Sequence, residues 1–283
     1  MPEQLLKSLA ELEQVEAIAL GGSRAGTHFD KKSDYDVYVY VKAPVEEETR
    51  RRLLSEHCSY MEIGNHFWEY EDNCVLNNGI DIDILYRDLD DFCRGIENVA
   101  VRCQPSNSYT TCMWHNLLNC RILYDETGRL AAAKERYSIP YPEALKAAIV
   151  ERQLKLLDSA MPAYPVQIRK AVKRGDLVSV NHRTAEFLAS YFDLIFAING
   201  KTHPGETRLM ELCLAECSFL PEHFEENLES LFRYMYAAGE EQLKCLDAVE
   251  AIVEEAKKLC AVLGYPAENR NLTNRSDHTY DAV

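Results

Sequence analysis

Asp34 and Asp36 follow Gly22 by twelve and fourteen residues. The segment reads Leu20-Gly21-Gly22-Ser23-Arg24-Ala25-Gly26, then a polar stretch, then Ser33-Asp34-Tyr35-Asp36-Val37-Tyr38-Val39-Tyr40-Val41. Alternate residues of an extended strand share a face, so both carboxylates point the same way. Like charges at neighbouring positions repel, and a divalent cation between them removes the penalty. Hard oxygen donors of this kind suit Mg²⁺. An Asp-x-Asp pair in isolation equally suits a solvated edge or a turn cap, so the neighbouring residues decide. Val15-Glu16-Ala17-Ile18-Ala19-Leu20 reads as a strand leading into the glycines. Gly21 and Gly22 permit positive φ and close backbone approach. A turn with N–H groups to offer, beside the Ser23 hydroxyl, can cradle phosphate oxygens. A phosphate cradle and a carboxylate pair are two halves of a site for a Mg²⁺-bound nucleotide.

A third carboxylate completes such a site. Asn78-Gly79-Ile80-Asp81-Ile82-Asp83-Ile84-Leu85-Tyr86-Arg87 alternates, with Asp81 and Asp83 on one face and isoleucines on the other. One buried and one polar face would produce that alternation without any function. Aspartates are nevertheless an unusual choice for a merely solvated strand. Taken together, the Gly-Ser turn, the Asp-x-Asp a dozen residues later and the acid within an apolar strand resemble the DNA-polymerase-beta-type nucleotidyltransferase superfamily. The resemblance covers about residues 15 to 90. It implies Asp34, Asp36 and Asp83 as metal ligands and catalytic residues, with Asp81 as the competitor for the third place. Asp83 is preferred because apolar residues flank it and continue beyond it.

Composition narrows the substrate. The chain has 283 residues and a net charge of −15. Nucleic-acid binding rests on Lys and Arg contacts to phosphates, and the only basic cluster is Arg50-Arg51-Arg52. Glu46, Glu47 and Glu48 each precede one of these arginines by four residues, a favourable spacing on a solvated helix. The expectation is helix stabilisation rather than an anion site, no nucleic-acid partner, and a small acceptor that an acidic enzyme would attract. No apolar run approaches the roughly twenty residues that span a bilayer, and the N-terminus lacks signal-peptide character. Ten cysteines without a Cys-x-x-Cys argue against a zinc site or a disulfide framework, and for a reducing cytoplasm.

Those motifs need elements to hold them. Hydrophobic spacing predicts a helix over 4–14, strands over 15–20 and 35–41, and a helix at about 45–58. Phe67–Glu71 reads as a strand, with a break at Asp72-Asn73. A strand over 80–86 follows, then a helix from Asp88 to about 99 and another from Asn107-Ser108 to Cys120, and a short strand at Arg121–Asp125. From Pro142 to about residue 262 nearly everything has helical spacing, with breaks near Pro162–Pro165, Gly175-Asp176, Asn199–Pro204, Pro221 and Gly239. The expected class is α+β: a nucleotidyltransferase-type mixed sheet with flanking helices, then an α-helical bundle. The domains are placed at 1–135 (catalytic) and 140–264 (helical), with a flexible tail over 265–283.

This layout is similar to that of bacterial aminoglycoside and lincosamide nucleotidyltransferases. Ile82–Asp90 and Phe196-Ala197-Ile198-Asn199-Gly200, followed by Pro204-Gly205, carry a looser likeness to a related bacterial group. The resemblance implies transfer of a nucleoside monophosphate, most simply AMP, from a Mg²⁺-bound NTP (ATP in the simplest case, with Mn²⁺ as a substitute metal) to a hydroxyl of a small molecule. An antibiotic acceptor, and hence antibiotic resistance, follows from the same likeness. Gly21, Gly22 and Ser23 would hold phosphates, and Arg24 the pyrophosphate charge. Lys201 would reach the triphosphate. The general base is open among Asp83, Asp81, Glu69 and Glu71. Trp68, His182 and Glu186, the last two near Tyr191 and Asp193, are candidates to line the acceptor pocket, although a core aromatic and a polar helix face account for them equally. Two other readings share these motifs: a protein-modifying or toxin–antitoxin nucleotidyltransferase, and a nucleotide-binding module without turnover. The sequence leaves the oligomeric state open.

Overall fold

The computed structural model describes residues 2–26, 33–67 and 69–266. Trp68 and residues 267–283, which make up most of the expected tail, lie outside the described residues. The chain divides into two compact units, one of Met1–Gln104 with Thr111–Pro142 and one of Pro105–Thr110 with Glu143–Val283.

The first unit runs α1 (Glu3–Ala10), β1 (Val15–Leu20), α2 (Gly22–Ala25), β2 (Tyr35–Val41), α3 (Glu47–Ser55), β3 (Cys58–Asn65), β4 (Glu71–Leu76), β5 (Asp81–Arg87), α4 (Leu89–Ala100), α5 (Cys112–Asn119), β6 (Arg121–Asp125) and α6 (Arg129–Arg136). Its six strands form one sheet in the order β3-β4-β5-β2-β1-β6. Only β2 and β5 pair in parallel; every other neighbouring pair is antiparallel. All six residues of β1 are buried, which explains why an Ala- and Ile-rich run shows no polar alternation.

The two faces of the sheet differ in kind. Val37 and Val39 of β2 and Ile82, Ile84 and Tyr86 of β5 point to one side, where they pack with Leu5, Leu6 and Leu9 of α1 and Leu54 of α3. Burying side chains of this size is worth about 1.5–3 kcal/mol each. Asp36, Tyr38 and Tyr40 point to the other side. Across the β1–β2 pair Ala17 faces Tyr40 and Ala19 faces Tyr38, so small residues on one strand make room for large ones on the next. At the far end of this face the Tyr40 and Phe92 rings pack with centroids 5.6 Å apart.

Several sequence expectations need correction. The first helix ends at Ala10 rather than residue 14. Asp72 and Asn73 do not break a strand but sit inside β4, and among the described residues of the expected strand only Glu71 belongs to one. β3 and α6 were not anticipated, and the helix expected from Asn107 begins at Cys112. The three arginines of α3 do not share one solvated role. Arg50 is fully buried and ion-paired with Asp72, also fully buried, while its other terminal nitrogen donates to the Tyr70 hydroxyl. Asp72 further accepts from the Gly64 amide at 2.8 Å. The physical reason is that β4 delivers a carboxylate beneath α3, a partner that helical spacing alone does not reveal.

The second unit is helical: α7 (Glu143–Leu154) continuing into a π-helical turn (Lys155–Ser159), α8 (Tyr164–Lys173), α9 (Leu177–Ile198), α10 (Leu209–Glu216), α11 (Phe224–Tyr234) and α12 (Lys244–Val262). Every residue of α9 from Ala189 to Ile198 is buried, the mark of a helix surrounded by others. Phe187, Tyr191 and Ile195 of α9 share a core with Leu228 and Leu231 of α11 and Val249 and Ile252 of α12. The Asp193 carboxylate is buried among these helices. It accepts from the Thr110 amide at 2.9 Å, the Thr110 hydroxyl at 2.7 Å and the Gln153 amide at 2.8 Å. Together, α+β sheet unit and helical unit give the architecture that the sequence pattern predicts.

Candidate active site

The parallel β2–β5 pair sets the site. In its register Asp36 lies directly beside Asp83, so the two carboxylates leave the same face of adjacent strands. Asp34, just before β2, completes the group. One carboxylate oxygen from each of Asp34, Asp36 and Asp83 lies within 4.8 Å of the others. Asp81 is exposed and outside this group, which is the outcome the flanking apolar residues of Asp83 favour.

The glycines are dictated by the side chains of β2 that face them. Gly21 follows β1, its amide donating to the Asp36 carbonyl at 2.8 Å. Gly22 has φ +56°, and a Cβ there would collide with the Asp36 carboxylate; one at Gly21 would collide with the Tyr38 ring. The chain can pass this close to Asp36 only without side chains. Gly22 and Ser23 then open the short α2, where a first turn has no preceding carbonyls for its N–H groups. Arg24 turns back on the protein: its Nε donates to the carbonyls of Ser33 at 2.6 Å and Asp34 at 3.0 Å, and its guanidinium lies 4.0 Å from the Tyr35 ring centroid. Arg24 therefore holds the strand that presents the aspartates.

Electrostatics single out Asp36. Burial, and then the charges of Asp34 and Asp83, push its carboxyl up to about 6 from an ordinary 3.8, against a smaller opposing pull from Arg87. Three oxygens that repel one another in a partly dry setting fit a hard divalent cation well. On the strand beyond β5, Glu71 is buried on the same face, and its carboxyl is raised by burial while hydrogen bonding with Asn73 pulls it down. Glu69, in contrast, is committed to Arg87 through two contacts, 2.7 Å to Nε and 2.6 Å to a terminal nitrogen. Arg87 in turn stacks at 4.1 Å from the Tyr38 ring centroid. Sequence reasoning missed Asn73, whose amide donates to Asp83 at 2.8 Å; reading it as a strand break hid the period-two spacing that puts it on the Glu71 face.

Lys201, His182 and Glu186 belong to the helical unit. Lys201 follows the α9 C-terminus, where Gly200 has φ +62° and the Lys201 amide returns to the Phe196 carbonyl at 3.0 Å. His182 is exposed on α9, and Glu186 accepts from the Tyr164 hydroxyl at 3.4 Å. Tyr191 and Asp193, by contrast, are core residues.

Residues 2–103 match the family described as nucleotidyltransferase domain. Over that segment the chain is similar to a nucleotidyltransferase domain. Residues 109–207 match a domain of unknown function, DUF4037. No curated protein matches the chain. Among solved structures, a nucleotidyltransferase-like protein from Exiguobacterium sibiricum is 14% identical, with a TM-score of 0.42, covering 91% of this chain and 76% of that one. An aminoglycoside 6-adenyltransferase from Bacillus subtilis is 12% identical, with a TM-score of 0.32, covering 93% and 90%. Both are partial likenesses at low identity. The matched segment 2–103 contains all three clustered aspartates and the Gly21–Ser23 turn. No helix among the described residues is long and apolar enough to cross a membrane.

Proposed function

We propose that the chain transfers a nucleoside monophosphate, most simply AMP, from an NTP to a hydroxyl of a small-molecule acceptor. The observation that carries this reading is the meeting of Asp34, Asp36 and Asp83 within 4.8 Å beside a glycine turn that admits no side chain. Those three residues would hold Mg²⁺, or Mn²⁺ in its place. When bound, such a metal neutralises triphosphate charge and lowers the pKa of an attacking hydroxyl.

The chain's own residues supply the rest. The N–H groups of the Gly22–Ser23 turn offer donors to phosphate oxygens. Arg24 fixes the start of β2 through the Ser33 and Asp34 carbonyls. Glu71 is our choice for the general base. It is buried on the Asp83 face, whereas Glu69 is tied to Arg87 and Asp81 is exposed. A net charge of −15 favours a neutral or cationic acceptor over a nucleic acid. Ten free cysteines suit a reducing cytoplasm.

The test is pyrophosphate release from ATP, CTP, GTP and UTP across a panel of hydroxylated aminoglycoside-like, lincosamide-like and metabolite acceptors, with Mg²⁺ or chelator. Acceptor-dependent release that vanishes in chelator is the expected result. Release that needs a protein acceptor would replace the small molecule by a macromolecule, and nucleotide binding with no release under any condition would overturn transfer altogether.

A further inference from the structure

Four polar side chains form a file across the edge of the sheet and end on the third aspartate. Asn65 of β3 donates to Glu62 at 3.2 Å and to the Asn73 side-chain oxygen at 2.6 Å. Asn73 of β4 donates to Asp83 of β5 at 2.8 Å. Register explains part of this, because Asn73 pairs across the ladders with both Glu62 and Asp83. Asn65 is the anomaly. Residues three apart on a regular strand point to opposite faces, yet Glu62 and Asn65 meet on one.

The cause is an irregularity in β3. The pairing shifts between Glu62 and Asn65, and Gly64 within it has φ +77°. One extra residue reverses the alternation and swings the following side chain to the other face. Here it brings Asn65 onto the face of Asn73 and Asp83. The orientation matters because an amide beside a carboxylate can present either its NH₂ or its oxygen. With the Asn73 oxygen engaged by Asn65, the NH₂ is the end that faces Asp83. A carboxylate so held loses rotamer freedom while keeping its second oxygen for other work.

We propose that Asn73, oriented by Asn65, is a positioning residue that fixes the Asp83 carboxylate for metal binding. The proposal rests on the metal-dependent reading of the site. Partners of this kind, once removed, typically weaken metal affinity by about 10–100-fold.

The test uses the full chain and Mn²⁺ as the probe, with free Mn²⁺ followed by electron paramagnetic resonance. Asn73→Leu keeps a similar volume and suits a strand, so its melting temperature should hold. Its Mn²⁺ affinity should fall by about 10–100-fold, while pyrophosphate release recovers most of its rate at high Mg²⁺. Asn65→Leu, one strand further out, should show a smaller loss in the same direction and serves if Asn73→Leu does not fold. Wild-type Mn²⁺ affinity in either folded variant would overturn that residue's role. Wild-type protein that binds no Mn²⁺ is a different result, and it would sink the metal reading on which this proposal stands.

Discussion

Asp36 pays for its position when no cation is present. Its carboxyl titrates near 6 in the fold rather than 3.8, so the folded state holds the proton more tightly than the unfolded chain does. The sign follows from linkage: the cost is fully present above about pH 6 and is relieved as pH falls through that value towards 4. Asp36→Asn removes the charge and keeps the shape. We expect it to stabilise the metal-free protein at pH 7 by on the order of 1–3 kcal/mol, with the gain fading below pH 5, as followed by thermal melts across pH. The same substitution should take nucleotidyl transfer below detection in the pyrophosphate assay. A variant that kept most of its activity would refute the assignment of the site. Protons and metal compete for the same oxygens, so apparent Mg²⁺ affinity should weaken as pH drops through about 6, which a titration at pH 5.5 and 7.5 would show.

At the scale of elements, the turn after β1 and the helix α3 are each tied to a neighbouring strand by a single demanding contact. Gly22→Ala places a methyl group against the Asp36 carboxylate at positive φ. It should cost about 1–3 kcal/mol of stability and most of the activity, since the collision displaces a proposed ligand. Gly26, whose Cβ would meet only ordinary van der Waals contact, is the control. Beneath α3, the Arg50–Asp72 pair is buried on both sides. Asp72→Ala would strand a buried guanidinium, and a loss of about 3–5 kcal/mol is expected by denaturant titration. These elements also show which local patterns were readable. β1 and β2 carry apolar runs, β5 alternates acids with isoleucines, and Asp88 caps α4 by accepting from the Asp91 amide at 2.8 Å. β3 is an edge strand with several exposed positions, so no alternation announces it. β4 contains Asp72 and Asn73 because Arg50, Asn65 and Asp83 satisfy them from other elements.

At the scale of the whole chain, two units each hide a carboxylate whose ordinary titration is disturbed. In the helical unit, burial pushes Asp193 up to about 6 despite its three donors. Asp193→Ala would leave the Thr110 and Gln153 donors buried without acceptor, and a loss on the order of 3 kcal/mol is expected in calorimetry. The same contacts show why the helix expected from Asn107 starts late. Pro105–Thr110 belongs with the helical unit and is held there by Gln153, Ser190 and Asp193.

The sequence alone determined where the acids and the turn fall along the chain: strand periodicity puts Asp34 and Asp36 on one face, a glycine turn precedes them, and a third acid lies in an apolar strand. It also determined the α+β class, because hydrophobic period is a local property. The tertiary structure decided what depends on which strands are neighbours. Parallel pairing of β2 with β5 put Asp83 rather than Asp81 beside Asp36, an ion pair joined Glu69 to Arg87, and a bulge at Gly64 turned Asn65 towards Asn73. Alternation along a strand is fixed by covalent geometry, whereas partnership across strands is fixed only when the sheet assembles.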